Sequence, residues 1–183
     1  AIDFLSAKAL DQWQNSSDRL SQLTHVFGGQ ASRLQDLCRN VILLPGPTGE
    51  LNQLSTVARG IVLCLGPGRQ AALLQAQTAL AQGNGVVLVA NDLNLPNSDL
   101  PLVVIKGQLS ATDITQLSGY HAVAANGHAP YQQQLRLALA NKLGPLLPLI
   151  SETADPQRYT MERHLCIDTT AAGGNASLIA AGE

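Results

Sequence analysis

Between Gly60 and Ile150 short, unbroken apolar runs alternate with longer segments of helical period, and this alternation constrains the fold more than any other feature. Ile61-Val-Leu-Cys-Leu65, Val86-Val-Leu-Val89 and Leu102-Val-Val-Ile105 carry no polar residue, as strands covered on both faces require. Arg69–Gln82 places Ala72, Leu73, Ala76, Ala79 and Leu80 on one side of a helix. Ser110 followed by Asp113 predicts a capping box opening a short helix, which Gly119 is expected to stop. His121–Ala124 is a strand candidate. Pro130 suits a first helical turn, and Tyr131, Leu135, Ala138, Leu139 and Leu143 continue that helix along one stripe. Leu146–Ile150 completes the series as a last core strand. Strands that alternate with amphipathic helices predict an α/β domain: a Rossmann-like, mostly parallel sheet with helices on both faces.

The flanks differ. Residues 1–40 read as a helical lead-in, with Phe4, Leu5, Lys8, Ala9 and Trp13 near one face, Ser17 or Asp18 as a second cap, and Gly28-Gly29 as a stop. The segment Leu44-Pro-Gly-Pro-Thr-Gly-Glu50 is expected to be a loop or turn, because prolines and glycines break both periodicities. After Ile150 a polar connector leads to the alternating stretch Arg163–Thr170, the turn signal Gly173-Gly-Asn175, and a possible return strand at Ala176–Ala180. The expected division is therefore a domain over 1–150 and a connector with a C-terminal β-hairpin arm over 151–183. A lone hairpin is marginal in water, so the arm needs a surface to lie against.

Composition narrows the function. Charged residues make up 13% of the 183, about half the usual share, while apolar residues reach an ordinary 45%. Disorder is excluded, since it requires low hydrophobicity and high net charge. Eleven Lys and Arg against thirteen Asp and Glu argue against a nucleic-acid surface. No stretch has the length of a membrane span. The chain begins with Ala1, which suggests a piece of a longer protein. Cys38, Cys64 and Cys166 lie far apart without a Cys-x-x-Cys, which points to a reducing, cytoplasmic setting and away from a zinc site.

Two patterns invite a chemical reading. Gly66-Pro-Gly68-Arg-Gln-Ala71 matches G-x-G-x-x-A between a strand and a helix, and Asp92 ends the next strand where a ribose-binding acid would sit. Gly66, Gly68, Ala71 and Asp92 are thus candidate dinucleotide-binding residues, although Pro67 brings no amide and the glycines equally suit a tight turn. His164, Cys166 and Asp168 share a strand face, but neighbours of that kind stand about 6.5–7 Å apart, too far for a Cys–His hydrogen bond. Nor do they make a convincing metal site. Cys38 beside Arg39 has a neighbour that lowers a thiol pKa, and Cys64 sits mid-strand as a small hydrophobe. Spacing identifies no catalytic residues and no metal ligands.

Leu44-Pro-Gly-Pro-Thr-Gly-Glu-Leu-Asn52 and Ala58-Arg-Gly-Ile-Val-Leu-Cys-Leu-Gly66 resemble the C-terminal region of the proline utilization A (PutA) family. Thr169-Thr-Ala-Ala-Gly-Gly-Asn-Ala-Ser-Leu178 looks like that family's closing motif, and Gln77–Val87 with its Ala-Leu-Ala-x-Gly-Asn core is also similar. Ala58 departs from the pattern, which has Pro before Arg-Gly. The resemblance implies a non-catalytic, aldehyde-dehydrogenase-like C-terminal domain. Its parent would join an FAD-dependent proline dehydrogenase to an NAD-dependent glutamate-semialdehyde dehydrogenase through an internal tunnel. This domain would cover the tunnel, hold no cofactor of its own, and meet the catalytic domains of the same polypeptide. Thr169, Thr170, Gly173, Gly174 and Asn175 would be interface positions. An autonomous dinucleotide-binding domain and a self-association module forming a homo-oligomer remain as alternatives.

Overall fold

The computed structural model describes residues 5–38, 41–91 and 93–168. Helices α1 (Ala7–Asn15) and α2 (Arg19–Phe27) lead into a 3₁₀ segment at Gly28–Arg33. Strands β1 (Val41–Leu44) and β2 (Glu50–Ala58) follow, then the α/β series. That series runs β3 (Ile61–Gly66), α3 (Gly68–Ala81), β4 (Gly85–Val89), β5 (Leu102–Ile105), α4 (Ala111–Gln116), β6 (Ala122–Ala125), α5 (Ala129–Ala140) and β7 (Leu149–Ile150). A 3₁₀ turn at Pro156–Tyr159 precedes β8 (Thr160–Asp168).

Among the described residues the strands form two sheets. The core sheet is five-stranded and parallel, in the order β5-β4-β3-β6-β7. Its central strands β3, β4 and β6 are buried on both faces, and the edge strand β5 is half-buried. Val62, Cys64, Val86 and Leu88 pack with Ala72, Ala76 and Leu80 of α3 and Leu23 of α2. Ile61, Leu63, Val87 and Val89 turn the other way, toward Ile114 of α4 and Leu135 and Leu139 of α5. This is the Rossmann-like arrangement expected from the alternation. Alanines on the inward face of α3 let its backbone lie close to the sheet, and Gly83, at φ +79°, ends that helix in the left-handed conformation.

The helix ends follow their local chemistry. Ser110 accepts from the Asp113 amide while Asp113 accepts from Ser110, completing the capping box of α4. That helix stops at Gln116, before Gly119, because the chain turns extended at Leu117. Asp18 occupies the cap position of α2 without a side-chain hydrogen bond there. Arg19, 1% exposed, donates to the carbonyls of Trp13, Gln14 and Ser16 and pairs with Asp36 at 2.6 Å. A buried cation thereby adds donors to carbonyls at the end of α1, of which that of Trp13 also accepts from the Ser16 amide.

The second sheet, the arm, is antiparallel with order β1-β2-β8. Val41–Leu44 pairs with Asn52–Ser55, and the whole of β2 pairs with the whole of β8. Leu44 and Glu50, expected in a loop, are the last residue of β1 and the first of β2. The loop is thus the short connection of a hairpin. The strand expected from Arg163 is present as β8, but its described partner is β2; the return strand expected at Ala176–Ala180 lies outside the described residues.

One side chain ties the two sheets together. Asn84, fully buried after α3, accepts from the amides of Arg59 and Gly60 at 2.8 and 3.1 Å. Its amide nitrogen donates to the carbonyls of Ala79 and Tyr159, both at 2.9 Å. These partners lie where β2 runs into β3, where α3 ends, and where the 3₁₀ turn meets β8. Replacing Asn84 by Ala leaves several buried backbone groups unpaired, so the Asn84→Ala variant should lose on the order of 3 kcal/mol of stability. A urea denaturation midpoint near the parent value would show that the brace is dispensable.

Candidate functional site

The strand order reverses between β3 and β6, and at the carboxyl ends of these strands open α/β sheets bind ligands. A cleft of about 400 Å³ opens there, walled by Leu65, Val89, Leu109 and Tyr131 and floored by Pro67, Gly68, Gly107 and Gly127. His128 caps α5 by accepting from the Tyr131 amide at 3.3 Å and meets the Tyr131 ring edge-on. Gly66, Gly68 and Ala71 stand at this turn and the start of α3; Asp92 lies outside the described residues.

The turn is closed from inside. Gly66, at φ +88°, has no room for a side chain, because a Cβ would fall 2.6 Å from the Gly68 nitrogen. Its amide donates to Gln75 Oε1 at 2.9 Å. Its carbonyl accepts from Gln75 Nε2 and from the Asn126 amide, each at 2.9 Å. Gln75 also reaches Asn126 Oδ1 at 3.3 Å and is itself fully buried. Pro67 offers no N–H. The Gly66 amide is engaged and Pro67 brings none, so a phosphate group at this turn would be left with the first-turn amides of α3. The glycines make the strand-to-helix turn.

The arm is the second candidate surface. Of the twelve large apolar residues exposed among the described residues, eight lie on it: Val41, Ile42, Leu43, Leu44, Leu51, Met161, Leu165 and Ile167. Register places Leu43, Gln53 and Leu165 in one row and Leu51 opposite Ile167, so one face is predominantly apolar. The opposite face carries Ile42, Leu44 and Leu54 beside His164 and Cys166. His164, Cys166 and Asp168 alternate along β8, facing Leu54, Asn52 and Glu50. The interface positions Thr169, Thr170, Gly173, Gly174 and Asn175 lie outside the described residues. The contribution of β1 was not anticipated, although Val-Ile-Leu-Leu ahead of Pro45 was its signal. No group of three or more His, Cys, Asp or Glu among the described residues is placed to hold a metal, and no helix among them is long and apolar enough to cross a membrane.

No family model matches the chain. Among solved structures it superposes on a bifunctional proline utilization A (PutA) protein with a TM-score of 0.60 at 19% identity, covering 79% of this chain and 20% of that one. It also superposes on an NAD-dependent benzaldehyde dehydrogenase from Corynebacterium glutamicum, with a TM-score of 0.50 at 17% identity over 79% of this chain and 37% of the other. The fold is that of an aldehyde-dehydrogenase-type domain. In sequence, the chain is homologous to part of the bifunctional protein PutA of Escherichia coli K12, with 30% identity over 181 residues. The match takes in 95% of this chain but spans only 13% of that protein's length. The sequence similarity is thus to a part of PutA, and the solved structures show the fold.

Two measurements follow from the site geometry. Calorimetric titration of NAD into the chain should give no saturable heat at millimolar ligand; a saturable isotherm would show that the switch-point turn accepts the cofactor despite its engaged donors. The thiols should separate by environment. Burial first and the neighbouring Asp36 second push Cys38 up to about 11, outweighing Arg19. Complete burial pushes Cys64 well above the ordinary thiol range. A raised pKa keeps the thiol protonated as pH rises through the ordinary thiol pKa of 9.0, delaying the reactive thiolate. Mass spectrometry after iodoacetamide treatment at about pH 8 should find exposed Cys166 modified first, Cys38 only as the pH approaches 11, and Cys64 only on unfolding. Early labelling of Cys38 would contradict this order.

Proposed function

We propose that this chain is the non-catalytic, aldehyde-dehydrogenase-like domain of a proline-catabolic enzyme. In this reading its arm docks onto the catalytic domains of the same polypeptide, covers the passage between their active sites, and supports the glutamate-semialdehyde dehydrogenase site. FAD and NAD belong to those catalytic domains. The reading extends to residues 169–175, which would continue the arm's interface, and to a cytoplasmic setting.

The observation that carries it is the apolar arm. Its strands expose the side chains that a free domain ordinarily hides, and they do so together on one sheet. A three-stranded sheet with an uncovered apolar face gains stability when a partner removes that face from water. The engaged turn at Gly66 adds a second support, because a domain retained for its shape has no need of phosphate donors. The kinship with PutA supplies the partner's class.

The test uses the full-length enzyme. Leu43→Asp places a charge on the apolar face, and deletion of 169–183 removes the positions beyond β8. Either change should lower semialdehyde dehydrogenase activity and the coupled conversion of proline to glutamate several-fold while leaving proline oxidation near its parent rate. Coupled activity equal to the parent's in both variants refutes the reading.

A further inference from the structure

A cleft of about 600 Å³ opens at the base of the arm, remote from the switch-point turn, where β2 runs into β3 and the 3₁₀ turn runs into β8. Two of the chain's eleven basic side chains, Arg59 and Arg158, line it together. Arg59 Nε donates to the Arg158 carbonyl at 2.8 Å, which fixes the guanidinium in place. Neither of its terminal nitrogens has a hydrogen-bond or carboxylate partner among the described residues. Arg158 reaches Glu152 only at 3.5 Å, with both side chains about half exposed, a pairing worth little. Burial first, and the positive charge of Arg158 second, disfavour the charged form of Arg59. An arginine stays protonated regardless, so the cleft holds a half-buried cation with no bonded carboxylate among the described residues.

The rest of the lining selects the anion. Glu162 also faces the cleft and Glu152 lies 3.5 Å from Arg158, so two guanidiniums stand against two carboxylates with no surplus positive charge. That balance disfavours a phosphate dianion more than a monoanion. With Nε anchored, the free edge of Arg59 presents its paired terminal N–H groups, a geometry that suits the two oxygens of a carboxylate. Leu37 and Ile42 supply an apolar wall alongside. We propose that this cleft binds a small aliphatic monocarboxylate, its carboxylate on the free edge of Arg59 and its hydrocarbon stem against Leu37 and Ile42. The inference is independent of the docking role of the arm.

Titration of the 183-residue chain with pentanoate, followed by calorimetry and by amide chemical shifts, tests it. Pentanoate should bind saturably, and its neutral isostere pentanamide should not. Arg59→Gln should weaken pentanoate about tenfold or more, with Arg59→Lys in between. Ile42→Gln keeps both guanidiniums and should weaken pentanoate while leaving acetate unchanged. The proposal fails if pentanamide binds as well as pentanoate, if phosphate binds more tightly than pentanoate, if the folded Arg59→Gln variant matches the parent, or if Ile42→Gln affects acetate and pentanoate alike.

Discussion

Asn84 is the point on which the architecture turns. It stands just after the helix that covers one face of the core sheet, and its amide holds both chain segments that leave that sheet for the arm. Gln75 and Gln82 play the same part elsewhere. Gln75 joins the end of β3 to the loop after β6, and Gln82 receives the Leu37 amide and donates to the Gln35 carbonyl. All three side chains are fully buried. A charged side chain in these places would carry a desolvation cost that only a partner charge offsets. Neutral amides satisfy several backbone groups without that cost. The scarcity of charge in this chain is therefore matched by the way its interior is braced, with Arg19 and Asp36 as the counter-example.

The α/β series was legible because each strand is a continuous apolar run and each helix has a stripe or a cap. The arm was not. All four residues of β1 are exposed, and β2 mixes Leu and Val with Asn, Gln, Ser and Thr, so neither shows the burial that gives a strand its period. Their pairing with β8 joins segments from opposite ends of the α/β series, and no local rule anticipates that. The G-x-G-x-x-A pattern lies between strand and helix, as its spacing indicates. What decides its chemistry is Gln75, nine residues on, together with Asn126 from a different loop, and neither belongs to the motif. The Arg59–Arg158 juxtaposition was hidden for the same reason, since its members are ninety-nine residues apart.

The two halves of the structure distribute their apolar surface differently. The core sheet has helices over both faces and carries few exposed apolar residues, among them Ile105, Leu137, Leu143 and Leu146. The arm has no helix over its apolar face among the described residues, and its strands leave the core through tightly bonded junctions. A rigid base and an uncovered face suit a surface made to be held in one orientation against something else, since little conformational freedom remains to be lost on docking. On the apolar face of the arm, Arg163 is the one charged residue that the register places among Val41, Leu43, Leu51, Val57, Met161, Leu165 and Ile167.

The pairing of β2 with β8 also sets an order of events. Ser55 donates to the Arg163 carbonyl across a sequence separation of 108 residues, and nearly all of the α/β series lies between. Contacts so distant are formed at the entropic cost of closing a long loop, which becomes small once the intervening chain has condensed. On a ribosome the β1–β2 hairpin emerges early, with the backbone edge of β2 unpaired until β8 has been made. Pairing with β8 closes that edge, while the apolar side chains of Val41–Leu44 stay outward in the folded chain.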